Sequence, residues 1–172
     1  MAHADADATA GVTALYHEDY RRLVRLAWLL TRDQGQAEEL VQDAFVDLHQ
    51  RWSRLTDPHG IPAYLRTSVV NRSRSSLRHL KVVQKHQPAL LVDVVQTGPS
   101  AEHGAMERLE QEMIIGSLNG LPARQREVLI LRYYGQLSEA EIAHTLGISR
   151  GAVKSHSSRG LKALRPVLGA QA

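Results

Sequence analysis

The chain has no cysteine among its 172 residues, which excludes disulfides, thiolate-ligated zinc and thiol catalysis and fits a reducing, cytoplasmic setting. Aromatic residues are scarce: one Phe, two Trp and five Tyr, with only short β-branched runs, leave little from which to build a sheet core. No apolar stretch reaches the roughly 20 residues that a membrane-spanning helix needs, so no membrane association is expected. The N-terminus, MAHADADATAGVT, has neither a basic start nor an apolar centre. It reads as neither signal peptide nor anchor, and residues 1–13 are expected to be a disordered tail. Catalytic signatures are missing as well. There is no Gly-rich phosphate loop and no nucleophile elbow, and the nine histidines include no His-x-x-x-His pair. The expectation is a protein that is not an enzyme and that uses no metal or cofactor.

One local absence is as informative. Between Pro58 and Val92 there is no Asp or Glu, while Arg66, Arg72, Arg74, Arg78, Lys81 and Lys85 all fall there. Ten of the 18 acidic residues precede Pro58, and a second basic stretch runs from Arg150 to Arg165, so a formal net charge of +3 conceals strong polarity along the chain. Two basic surfaces suit two contacts with a polyanion; an acidic first third suits a different, basic partner.

What is present is helical periodicity rich in Leu, Ala, Arg, Glu and Gln, which predicts an all-α fold of two small helical domains. Residues 14–31 carry Leu15, Leu23, Val24, Ala27 and Leu30 at helical spacing. Asp33 can cap a second helix whose apolar face is Ala37, Leu40, Val41, Ala44, Phe45 and Leu48 and whose polar face holds Glu38, Glu39, Gln42, Asp43 and Asp47. That helix should end near Trp52, before the turn-forming Thr56-Asp57-Pro58-His59-Gly60. Pro62 suits the first turn of a third helix with Tyr64, Leu65 and Val69 inward and the arginines outward. Periodicity then fails, and Pro88, Gly98, Pro99 and Gly104 mark residues 84–104 as a flexible linker. Beyond it, Leu109 and Met113 are expected to face inward, and Leu121-Pro122 restarts a helix that runs to Gly135.

Residues 138–164 read as a helix-turn-helix. Ser138 and Glu141 have capping-box spacing, Ile142, Ala143 and Leu146 share a face, Gly147 can end the helix, and Ser149 can cap the next one. Val153 and Leu161 are expected to pack the second helix on the first, leaving Arg150, Lys154, Ser155, His156, Ser158 and Arg159 for a DNA groove.

In series, AEELVQDAFVDLHQRW, AYLRTSVVNRSRSSLR, LPARQREVLILRYY and the helix-turn-helix resemble the extracytoplasmic-function RNA polymerase sigma factors of the sigma-70 family, in that family's order and spacing. Within the family the chain resembles the actinobacterial SigE branch. The resemblance implies region 2 over residues 14–83, a linker over 84–104 and region 4 over 105–168. It implies that Glu39, Gln42 and Asp43 dock on the β′ coiled coil of core RNA polymerase, with the β subunit a further contact. It also implies that residues 52–62 and the following helix handle the minus-ten element of promoter DNA, Asn71 standing near a flipped base and Arg66, Arg72, Arg74 and Arg78 on phosphates. Region 4 would read the minus-thirty-five element through Arg150, Lys154, Ser155, His156 and Arg159. An anti-sigma factor is a further partner that the resemblance allows. Many family members carry Asp where this chain has Ser75, so the resemblance does not carry a detailed minus-ten base preference over to this chain. Trp52 and Tyr64 could stack on a base, but their helical spacing beside Leu55 and Leu65 reads first as core.

The rival reading is a GerE/LuxR-type helix-turn-helix regulator, since VKSH at 153–156 also occurs in that class. Residues 1–80 show none of the β-α alternation of the receiver domain that usually precedes it.

Overall fold

The computed structural model describes residues 2–55, 57–86 and 113–169; the side chains of residues 2–7, 58, 167 and 168 fall outside that set. The chain divides into two units, Met1–Pro99 and Ser100–Ala172. Among the described residues every regular element is helical.

The first unit is three mutually packed helices: α1 (Ala2–Thr31), α2 (Gln34–Arg51) and α3 (Ile61–His86). Leu26 and Ala27 of α1, Val41, Ala44 and Leu48 of α2, and Leu65, Val69 and Val70 of α3 lose nearly all their exposure. The expected stripes therefore face one another, each large aliphatic side chain contributing about 1.5–3 kcal/mol by leaving water. α1 ends on Arg32 rather than on a glycine, at φ 65°. Its guanidinium lies 4.5 Å from the centre of the Trp28 ring, an attraction that offsets part of the strain of a left-handed turn. Asp33 then caps α2, its carboxylate accepting from Gln36 N at 2.9 Å.

Two boundaries differ from expectation. The stretch expected as a disordered tail is helical from Ala2, because its alanines favour helix and Ala8, only 4% exposed, finds a partner surface on the first unit. At the other end α3 takes in residues 84–86, the first three of the expected linker, and the rest of that linker lies outside the described residues, as do Leu109 and the LLVDVV run.

In the second unit a helix over 113–119 (α4) is followed by α5 (Ala123–Leu129), which continues as a π-helical turn, Ile130–Tyr134. Gly135 N donates to Ile130 O at 2.9 Å to close that wider turn, and a Cβ there would lie 2.8 Å from Leu131 O. Glycine is thus required where the π turn meets the next loop. α6 (Glu139–Leu146) and α7 (Arg150–Gly169) follow. Met113, expected to face inward, is 52% exposed, because the α4 contact with the core comes from Leu118, beside Leu121, Leu129 and Leu164.

Candidate nucleic-acid interface

The helix-turn-helix forms as its caps dictate. Ser138 Oγ accepts from Glu141 N at 3.3 Å, and the Glu141 carboxylate accepts from Ser138 N at 2.7 Å, which completes the capping box of α6. Gly147 takes φ 64°, and Ile148 N closes the helix end on Ala143 O at 3.0 Å. Ser149 Oγ accepts from Ala152 N at 3.1 Å and starts α7.

Ile142, Leu146 and Val153 form the buried seam between α6 and α7. Leu161 does not join it: at 38% exposed it lies among the cations, because the buried stripe of α7 runs Val153, Ser157, Gly160, Leu164. A Cβ at Gly160 would stand 2.8 Å from Leu129 Cδ1, so the missing side chain is what lets α7 lie close on α5. Leu161 is the first large apolar residue after Val153 in the sequence, whereas Ser157 and Gly160, which continue the buried period, are too small or too polar to signal it.

Arg150, Lys154, Ser158 and Arg159 are exposed on α7 and Ser155 is half-buried. His156 borders the packed side: it is half-buried, and its Nδ1 is enclosed without a hydrogen-bond partner among the described residues. Lys154 Nζ lies 3.9 Å from Glu139 Oε2, while Glu139 Oε1 accepts from Arg132 at 3.2 Å. The exposed face is a row of cations and hydroxyls with one carboxylate at its edge.

The first unit carries two surfaces. On α2, Glu39, Gln42 and Asp43 are exposed on the side away from Val41 and Ala44, and the exposed Val46 continues their stripe. Gln42 also hydrogen-bonds the side chain of Tyr20. Burial raises the Tyr20 pKa, the Gln42 bond pulls it down in part, and neighbouring Tyr16, stacked at 4.4 Å, adds to the rise.

Between α2 and α3, Asp47 and Arg51 of α2 and Tyr64, Thr67, Ser68, Asn71, Arg72 and Ser75 of α3 line a depression of about 390 Å³. Asn71 is exposed within it. Asp47, which reads from sequence as one more solvated acid, is the hub of its wall: Tyr64 Oη donates to it at 3.1 Å, Arg51 Nε at 3.2 Å, and Arg72 Nη2 lies 3.4 Å away. Partial burial pushes the Asp47 carboxyl up, but the Tyr64 hydrogen bond and the Arg51 and Arg72 charges more than reverse this and hold it below its usual value. Burial and the bond to Asp47 raise Tyr64 in turn. Arg72 also bonds Ser68 Oγ at 3.3 Å and lies 3.9 Å from Asp43, so it ties α3 to α2.

The other arginines differ. Arg78 is exposed and donates to Ser75 Oγ at 3.1 Å, Arg74 is half-buried with an interaction of its own, and Arg66 is half-buried with its Nε lacking a hydrogen-bond partner among the described residues. Tyr64 and Trp52 are each half-buried, Tyr64 contributing to the depression and Trp52 resting on α1 at Gly11. Among the described residues no group of three His, Asp or Glu is placed to hold a metal, and no helix is long and apolar enough to cross a membrane.

An acidic helix face and a donor-lined depression in one unit, with a capped helix-turn-helix in the other, match two family models in the same order. Residues 15–82 match Sigma-70 region 2, and residues 111–164 match Sigma-70, region 4. The RNA polymerase sigma-E factor of Streptomyces avermitilis is 31% identical over 90% of this chain and 86% of its own length. The chain belongs to the extracytoplasmic-function sigma factors of the sigma-70 family. The sigma factor SigL of Mycobacterium tuberculosis is 34% identical over 96% of this chain and 93% of its own. Among solved structures, the sigma factor RpoE of Bartonella quintana, crystallised with the anti-sigma factor NepR, aligns at a TM-score of 0.69 with 26% identity, covering 91% of this chain and 97% of that one. CnrH, in complex with the cytosolic domain of CnrY, shares the fold at a TM-score of 0.58 and 22% identity. This sigma factor is therefore a non-enzymatic initiation factor that binds core RNA polymerase and directs it to promoter DNA, and the GerE/LuxR reading is not favoured.

Proposed function

We propose that the first unit, over residues 14–83, holds the polymerase and opens the minus-ten element, and that the second, over 105–168, reads the minus-thirty-five element. The observation that carries this reading is the α3 depression, where Asn71 and the hydroxyls of Thr67, Ser68 and Ser75 offer donors and acceptors beside an acid-free helix. Extruding a base costs a few kcal/mol, and a pocket of donors with cations at its rim returns it. Arg66, Arg74 and Arg78 serve as the phosphate contacts. Arg72 serves at the wall of the depression, because its guanidinium is already engaged by Asp47 and Ser68. On α7, Arg150, Lys154, Ser155 and Arg159 face the major groove, with His156 at the margin of the contact.

Glu39, Gln42 and Asp43 dock on the β′ coiled coil, and region 4 meets the β subunit. The protein acts in the cytoplasm, where polymerase and promoter are. An anti-sigma factor is a further partner, supported by the complex that the 26% identical RpoE makes with NepR.

The test compares a duplex promoter with one whose minus-ten segment is mismatched in advance. Asn71→Ala should impair initiation on the duplex far more than on the pre-opened template, because pre-opening removes the unstacking cost. Equal loss on both would assign Asn71 to base reading or folding, and no loss on either would remove it from the DNA contact.

A further inference from the structure

The N-terminal turns of α1 reach the end of α2 and the residue that follows it. Ala8 is buried, and Thr9 Oγ1 lies 3.3 Å from His49 Nε2 near the end of α2. Two residues on, Gly11 meets Trp52 edge to backbone: a Cβ at Gly11 would overlap Cζ2 and Cη2 of the indole and stand 3.2 Å from its Cε2. These ring atoms are not the loose end of a flexible chain. An indole pivots only as a rigid plate, so any side chain at position 11 must push the ring or α1 aside.

Trp52 opens the segment between α2 and α3. Its N–H bonds His49 O, and its carbonyl accepts from Leu55 N at 3.1 Å to form the 3-10 turn Trp52–Arg54. The far end of the segment is pinned separately, by the second 3-10 turn, where Gly60 N bonds Asp57 O at 3.2 Å, and by buried Ile61. Trp52 thus stands where the chain leaves α2, with its ring seated against Gly11 and with Thr9 beside His49, one turn before it.

We infer that residues 9–11 of α1 are a positioning element for the promoter-facing loop, with Gly11 as the seat that fixes Trp52 and, through it, the path of residues 52–55 at the start of that loop. This rests on the assignment of that loop and α3 to the minus-ten element. Gly11 touches no DNA in this account; it acts through Trp52. Its loss therefore changes which minus-ten sequences are used and leaves minus-thirty-five preference alone.

The test uses the full chain in holoenzyme with core polymerase and two promoter libraries, one randomised at the minus-ten element and one at the minus-thirty-five. Gly11→Ala should lower discrimination at one or more minus-ten positions about tenfold, the worth of one base contact, with unchanged minus-thirty-five preference. Adding Trp52→Phe, whose smaller ring vacates the overlapped space, should restore most of it. The double variant also keeps the question answerable if Gly11→Ala alone folds poorly, since its minus-ten preference should then match the parent. Asn71→Ala runs alongside. If Asn71→Ala alters duplex opening while Gly11→Ala leaves minus-ten preference unchanged, or lowers output uniformly on every promoter, the positioning role is overturned and the minus-ten assignment stands. If neither variant affects the minus-ten element, both fall.

Discussion

Removing the Ser138 hydroxyl isolates one hydrogen bond in the helix-turn-helix unit. In the native helix start, Ser138 Oγ satisfies Glu141 N, an amide that has no partner inside α6, and the Glu141 carboxylate returns the favour to Ser138 N. Ser138→Ala deletes the first bond and leaves the second possible, so the cost is that of an N-cap, about 1 kcal/mol. α6 has only eight residues and is too short to persist on propensity alone, so this loss should appear as local opening. About 1 kcal/mol corresponds to roughly fivefold faster amide exchange in a peptide covering 139–146, read by hydrogen–deuterium exchange mass spectrometry of the whole chain. Ser138→Asp should exchange like the parent and Ser138→Gly should fall between, because glycine at this position costs only a few tenths of a kcal/mol. Affinity for minus-thirty-five duplex should fall less than about twofold, since a unit several kcal/mol stable stays mostly folded after losing one. Exchange in Ser138→Ala no faster than in Ser138→Asp would refute the claim that the capping box holds α6.

Charge reversal at Glu39 and Asp43 should weaken binding to core polymerase in a pull-down while far-ultraviolet circular dichroism stays unchanged, because exposed charges contribute little to folding. On α7, alanine at Arg150, Lys154 and Arg159 in turn should separate two behaviours in titrations against salt: a phosphate contact lowers the salt slope by about one for every sequence, whereas a base contact costs about 1–3 kcal/mol at one position. Gly160→Ala gains about 1 kcal/mol of helix propensity but drives a Cβ to 2.8 Å from Leu129 Cδ1 in a closed core, where overpacking costs about 1–3 kcal/mol; thermal unfolding should show net destabilisation. Because the Asp47 pKa is held below 3.8, its stabilising bonds are complete above that value and are lost as pH falls through the depressed one, so denaturant midpoints should drop more steeply below about pH 3.8 in the parent than in Asp47→Asn.

Much of this architecture could be read from spacing because the decisive residues signal locally. Asp33, Ser138, Gly147 and Ser149 act within four residues of themselves, and the stripe from Ala37 to Leu48 needs only a period. What escaped depends on partners distant in sequence. Residues 2–13 carry no large apolar stripe, and Thr9 and Gly11 gain meaning only from His49 and Trp52, about 40 residues on. Ser73 is a polar residue at a fully buried position, and it fits because its hydroxyl donates to Val69 O at 2.8 Å within its own helix. Asp47 and Arg72 each looked like surface charge, and their pairing requires α2 and α3 to be laid side by side first.

The 3.9 Å approach of Arg72 to Asp43 bears on how alleles of this gene would be interpreted. Asp43 belongs to the acidic stripe, yet the same guanidinium reaches across to Asp47 at the wall of the α3 depression. A lesion at Asp43 isolated for failing to hold the enzyme would also alter the charge balance around Arg72, and a lesion at Arg72 isolated for poor promoter opening would unbalance Asp43. Such alleles are expected to be pleiotropic and to show epistasis with one another, whereas Glu39, which has no such neighbour among the described ion pairs, gives the cleaner genetic marker for the acidic face.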